Sequence, residues 1–186
     1  MNNLNNIKLV CLDLDGVLCD GMYIVSETGD ISKSFYTRDW WAIQELQEAG
    51  ISVAIVTHCY DNCIDKKIER LPGKCKMKLS LHKLPWDITK EQYLEQRLNV
   101  PWEQTAFMGD SENDLEAMKR CGFTGCPADA VSIIKEESNF IASSPGGKGA
   151  VCEFVKYIID CRKAENVNQC DGKDNKDTYA KPNASG

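Results

Sequence analysis

The sequence predicts an α/β fold, a parallel sheet layered between helices, on three observations. Short apolar runs, "IKLVCLDL" (7–14), "ISVAIVT" (51–57) and "QTAFMGD" (104–110), have the length of buried strands, and the first is rich in branched residues. Segments of helical length with start and stop signals separate them, and strands that alternate with helices pair in parallel with helices on both faces. Each run also ends on a residue able to do chemistry, Asp13, Thr57 or Asp110. Ligands of such sheets bind beyond the carboxyl ends of the strands, where all three fall.

The elements follow in chain order. After the first strand, residues 22–36 read as a hairpin with Thr28, Gly29 and Asp30 at its tip. Asp39 can cap a helix that runs through Ala49 and stops at Gly50. A helix over about 61–70 ends before Pro72 and Gly73, and "KMKLSL" (76–81) is a weaker strand. Thr89 and Gln92 match a capping box and open a helix to Leu98. The alternation then repeats: helix 113–121 closed by Gly122, strand near 123–125, helix 130–137, strand 139–142, helix 150–161. From about residue 163 the chain is polar and aperiodic, so the expected organisation is one domain over 1–162 and a disordered tail over 163–186.

Composition excludes several classes of function. A length of 186 residues suits one domain with a sizeable core. A net charge of −6 with no long basic stretch argues against an electrostatic grip on nucleic acid or an anionic membrane. No segment approaches the roughly 20 apolar residues that span a bilayer. The ten cysteines include no C-x-x-C pair, and only His58 and His82 could help build a zinc site. Reduced thiols in the cytoplasm are expected, with the nucleus also open to the chain.

Asp13 and Asp15 lie two residues apart, on the same side of an extended chain, and Gly16 follows at once. Two carboxylates leaving a buried strand repel each other, which suggests a cation or a shared task. "DLDG", "IVT" and "MGDSEND" on three strand ends resemble the haloacid dehalogenase superfamily of aspartate-nucleophile phosphatases, over roughly residues 7–158. The resemblance implies a three-layer Rossmann-like sheet. It makes Asp13 the nucleophile that forms an aspartyl-phosphate, and Asp15 the general acid and then base. Thr57 would hold a phosphoryl oxygen. Mg²⁺ would be bound by Asp13, the backbone carbonyl of Asp15, and Asp110, with Asp114 completing the acidic cluster.

Between Asp15 and Thr57 there is room for a hairpin flap and one helix but no cap domain, so the chain looks like the capless subgroup. "DLDGVLCDG", "KSFYTRD", "PADA" and "GGKGAVCEF" resemble the family of 3-deoxy-manno-octulosonate 8-phosphate phosphatases. They also resemble its nonulosonate 9-phosphate relatives and the C-terminal domain of animal N-acylneuraminate cytidylyltransferase. This implies a Mg²⁺-dependent phosphatase of a phosphorylated keto-sugar acid, or alternatively a non-catalytic oligomerisation domain of the cytidylyltransferase kind. A phospho-accepting signalling receiver would share the fold class, but "DLDG" and "GDSEND" at this spacing do not resemble one. The relatives form homotetramers in which the hairpin and a neighbour's tail wall the site. Here the hairpin and "SSPGGKGA" (143–150) are the expected covering pieces, the glycines of the latter letting backbone approach another chain closely.

The chain departs from the family pattern in four places. The family's T-G-R is Thr57-His58-Cys59, its D-G-x-G is Asp39-Trp40-Trp41-Ala42, and Cys152 stands in place of an arginine in "GAVCE". An ungapped count puts Asp87 where a phosphate-binding lysine belongs. Lys90, one turn later, is then the replacement and Lys83 a poorer one, while His58 joins Thr57 on the phosphate side. Packing accounts for at least one of Trp40 and Trp41.

Overall fold

The computed structural model of the protein describes residues 4–71 and 79–171. Strand β1, Leu9–Leu12, is buried at every position because it lies between two layers of helices. Its side chains alternate: Val10 and Leu12 join the core beneath one layer, Leu9 and Cys11 the core beneath the other. Strands β4 (Ser52–Thr57), β5 (Leu79–Lys83), β6 (Thr105–Met108), β7 (Phe123–Cys126) and β8 (Phe140–Ile141) complete a six-stranded parallel sheet. The strand order is β5-β4-β1-β6-β7-β8. From β1 the chain thus goes to β4 on one side and to β6 on the other, and the crevice of a parallel sheet opens at such a switch. Asp13, Thr57 and Asp110 leave those three adjacent strands.

Helices α1 (Thr37–Glu48) and α6 (Ala150–Asp171) cover one face, burying Ile43, Leu46, Phe154 and Ile158. On the other face α3 (Lys90–Arg97), α4 (Leu115–Arg120) and α5 (Ser132–Glu137) bury Leu94, Met118 and Ile134. Burying each such side chain contributes about 1.5–3 kcal/mol. Helix α2, Cys63–Glu69, precedes β5. The hairpin is a short antiparallel pair, β2 (Ile24–Val25) with β3 (Ile31–Ser32), and no cap domain intervenes between β1 and β4.

The structure corrects several expectations. Asp39 does not cap its own helix: α1 begins two residues earlier, and the buried Asp39 carboxylate accepts the backbone N–H of Cys152 at 2.9 Å. It therefore caps α6, whose first-turn donors lack partners within the helix. Burial pushes the Asp39 carboxyl up to about 6. Trp40 is packed, edge-on to Phe35 at 5.9 Å, whereas Trp41 is exposed. Helix α6 continues through Asp171, into the stretch expected to be tail; Lys163, Ala164 and Glu165 all favour helix, and an extension of α6 needs no apolar period of its own. The remainder of that tail, 172–186, lies outside the described residues, as do residues 76–78 of the weaker strand.

The glycines of "SSPGGKGA" serve a contact inside the chain. The Gly147 N–H bonds the Val17 carbonyl at 2.9 Å, and a side chain at Gly146 would strike the Gly16 carbonyl. The eight described cysteines are free. No helix among the described residues is long and apolar enough to cross a membrane.

Candidate active site

Asp13 is held where β1 ends. Its N–H bonds the Met108 carbonyl of β6 at 3.0 Å, and its Oδ1 accepts the Leu14 N–H at 2.7 Å. Beneath it comes Lys90, the first residue of α3 and fully buried. The reciprocal capping bonds of Thr89 and Gln92 fix that helix start. The Lys90 ammonium lies 2.7 Å from Asp13 Oδ1 and 2.6 Å from Asp114 Oδ1. Asp114 Oδ2 in turn accepts the N–H of Asp110 at 3.0 Å and of Ser111 at 3.3 Å, which folds the loop after β6 back on itself. Gly16, at φ +89, leaves room for Asp110, since any side chain there would run into the Asp110 carboxylate.

Oxygens of Asp13, Asp110 and Asp114 all lie within 4.8 Å of one another. Three carboxylates against one ammonium leave an excess of two negative charges, which a divalent cation offsets. An all-oxygen donor set of this kind suits a hard ion such as Mg²⁺. The electrostatics agree. Burial, only partly offset by Lys90 and reinforced by Asp114 and Asp110, pushes the Asp13 carboxyl up to about 8. Burial and then the Asp114 charge push Asp110 up to about 6. Burial opposes charge on Lys90, but Asp13 and Asp114 outweigh it and push the amine up to about 12.

Above Asp13 opens a cavity of about 390 Å³ whose walls include Asp15, Lys33, Thr57, His58 and Trp86. Thr57 is buried at the end of β4, its hydroxyl oxygen accepting the Cys59 N–H at 2.9 Å. His58 bonds the Ile88 carbonyl through Nε2 at 3.0 Å, and its ring stacks on Trp86 at 5.1 Å. A carbonyl only accepts, so Nε2 carries a proton in this bond, while Nδ1 is buried and has no partner among the described residues. Lys90 does not line the cavity; it reaches Asp13 and Asp114 from below. Lys83 pairs instead with Asp65 and the Asp61 carbonyl, and Asp87 is exposed.

The side chain of Asp15 is not part of the acidic cluster. Its Oδ1 accepts from Lys33 Nζ at 2.6 Å and from Cys19 Sγ at 3.1 Å. Lys33, just past β3 in the segment "KSFYTRD", is the residue that reading the sequence missed, together with its second partner Asp61. The signal was the lysine itself, on a hairpin expected to fold over the site.

Residues 88–155 match the family of haloacid dehalogenase-like hydrolases. The chain is 34% identical over 166 residues to the 3-deoxy-D-manno-octulosonate 8-phosphate phosphatase of Haemophilus influenzae, covering 88% of this chain and 89% of that one. It is 26% identical over 157 residues to N-acylneuraminate cytidylyltransferase B of Danio rerio, covering 84% of this chain but only 37% of the relative. A similar solved structure is the 3-deoxy-D-manno-octulosonate 8-phosphate phosphatase of Moraxella catarrhalis in complex with magnesium, phosphate and KDO. The two superpose with a TM-score of 0.76 at 25% identity, over 93% of this chain and 99% of that one. With three buried charged groups and the half-buried Asp110 gathered at the switch point of a capless parallel sheet, and with that extent of identity to the Haemophilus enzyme, the chain belongs to the haloacid dehalogenase-like hydrolases, in the family of the 3-deoxy-D-manno-octulosonate 8-phosphate phosphatases.

Proposed function

We propose that the protein is a Mg²⁺-dependent phosphatase of a phosphorylated keto-sugar acid, of the octulosonate 8-phosphate or nonulosonate 9-phosphate type. The observation that carries this is the Asp13 carboxylate, paired with a buried ammonium, clustered with Asp110 and Asp114, and opening into a cavity that Asp15 also lines. Asp13 attacks phosphorus and becomes an aspartyl-phosphate while the bond to the sugar oxygen breaks. Asp15 gives that oxygen its proton and then takes one from the water that hydrolyses the intermediate. Thr57 and His58 bound the cavity on the substrate side, and Lys90 keeps Asp13 aimed and its charge balanced from below. Asp13, Asp110, Asp114 and the Asp15 carbonyl would hold Mg²⁺, which would draw negative charge off the transferring phosphoryl group.

The test is a panel of sugar phosphates assayed with Mg²⁺ and with EDTA. Phosphate release from keto-sugar acid phosphates that EDTA abolishes is the expected result; release unaffected by EDTA, or from none of the panel, contradicts the reading. A second reading, a non-catalytic oligomerisation domain, is favoured by the match to part of the zebrafish cytidylyltransferase and by Cys59 and Cys152 at arginine positions of the family pattern. It requires no turnover.

Cation binding should depend on pH. Without a cation, burial and the neighbouring carboxylates push Asp13 up to about 8 and Asp110 up to about 6, so a metal ion has to displace their protons. Both groups are protonated below those values and free to ligate above them. Mg²⁺ affinity is therefore expected to fall about tenfold per pH unit below pH 8, and more steeply below 6. Calorimetric titration at several pH values checks this; an affinity that does not change between pH 8 and 6 contradicts it.

The assembly we infer is a homotetramer with sites at subunit boundaries. Met22 and Ile24 on the hairpin are 73% and 75% exposed, an apolar surface beside a cavity that no cap domain covers. A second chain against it would exclude water from the phosphoryl group. Sedimentation at micromolar concentration should give a tetramer, and a monomer there contradicts this.

A further inference from the structure

Lys33 is the feature of the site that the phosphatase chemistry leaves unexplained. Its side chain is 1% exposed although it enters from a hairpin whose other residues are largely in solvent. A lysine ammonium has three N–H donors. All three are spoken for: Asp15 Oδ1 at 2.6 Å, Asp61 Oδ2 at 2.8 Å and Cys59 Sγ at 3.1 Å. No donor is left for a phosphate or a substrate carboxylate, so Lys33 acts through its partners. Those partners come from the loops after β1 and after β4, and one ammonium therefore ties the hairpin to both. Burial favours the neutral amine, but the bonds to Asp15 and Asp61 outweigh it and raise its pKa.

The consequence falls on Asp15. Its Oδ1 is held by two donors, Lys33 and Cys19, from different elements. Among the described residues Oδ2 has no such partner, and the residue lines the cavity beside Asp13. A carboxyl gripped by one oxygen presents the other in a fixed direction. We propose that Lys33 is a positioning residue that orients Asp15 so that Oδ2 delivers a proton to the departing oxygen, an inference that rests on the acid–base role given to Asp15 above. In the first step the Asp13–phosphorus bond forms, the bond from phosphorus to the sugar oxygen breaks, and that oxygen takes the Oδ2 proton. In the second, water attacks phosphorus, the Asp13–phosphorus bond breaks, and the water proton returns to Oδ2.

A structural role alone would weaken turnover of every substrate alike, whereas a role in proton delivery depends on the leaving group. The test compares Lys33→Met with wild type on a keto-sugar acid phosphate, whose alkoxide needs a proton, and on p-nitrophenyl phosphate, whose phenolate leaves without one. In Lys33→Met, kcat/KM should fall about 10- to 100-fold on the sugar phosphate and no more than about threefold on p-nitrophenyl phosphate. The loss on the sugar phosphate should lie in kcat with KM little changed, and Lys33→Arg should recover part of it. If Lys33→Met does not fold, Lys33→Gln, which keeps a donor without the charge, carries the same comparison. Equal losses on both substrates, or no loss on either, overturn the proposal. A wild-type protein that turns over neither substrate overturns the phosphatase reading itself, and this inference with it.

Discussion

Asp13→Asn is expected to lose phosphatase activity by at least about three orders of magnitude while keeping its fold. The amide has nearly the shape of the carboxylate but no charge with which to attack phosphorus. Its oxygen can still accept the Leu14 N–H, and Lys90 keeps Asp114 as a partner at 2.6 Å. The fold should even gain slightly when no cation is bound. Burial already drives Asp13 toward its neutral form, pushing it up to about 8, so the amide relieves a crowded charge instead of removing a support. Phosphate release and chemical denaturation, measured side by side, check both halves. A variant that turns over like wild type removes Asp13 from the role of nucleophile.

Lys90→Met should damage stability as well as activity. The substitution leaves Asp13, Asp110 and Asp114 gathered within 4.8 Å without the buried ammonium that bridges two of them. Breaking a buried pair in this way costs about 3–5 kcal/mol, because the stranded charges stay desolvated. Urea denaturation in EDTA reads that cost. The deficit should shrink when Mg²⁺ is added, since a cation among the carboxylates replaces the lost positive charge, and again as pH falls and the carboxylates take up protons. Activity should drop by at least about 100-fold even with Mg²⁺ present. A variant as stable as wild type in EDTA would show that Lys90 does not hold the cluster together.

The parts of the fold that were legible in the sequence are those written locally. The runs ending at Asp13, Thr57 and Asp110 are strands because short apolar stretches between helical segments fill them, and a parallel sheet brings their ends together without any further information. Lys90 was legible only in part: an ungapped count pointed to Asp87, which the structure leaves exposed, and Lys90, one turn on, was read as a phosphate ligand, whereas the fold buries it against Asp13 and Asp114 outside the cavity lining. What stayed hidden depends on contacts between distant segments. Asp39 looks like the cap of its own helix, but its partner is 113 positions away at Cys152. Lys33 looks like a hairpin lysine and becomes buried only when the loops that carry Asp15 and Asp61 close around it. The glycines at 146 and 147 could have served any close approach, and only the folded chain shows that they serve the Gly16–Asp20 loop.

The phosphatase chemistry requires a covalent phosphoryl group at Asp13, and borohydride trapping detects it. Turnover of a keto-sugar acid phosphate with Mg²⁺ is quenched in acid, the protein is reduced, and the peptide spanning Asp13 is sequenced by mass spectrometry. An acyl phosphate is reduced to an alcohol where a free carboxylate is not, so the expected product is homoserine at position 13, absent when Mg²⁺ is withheld. Phosphate release with an unreduced aspartate at position 13, or homoserine at another position, would contradict the account.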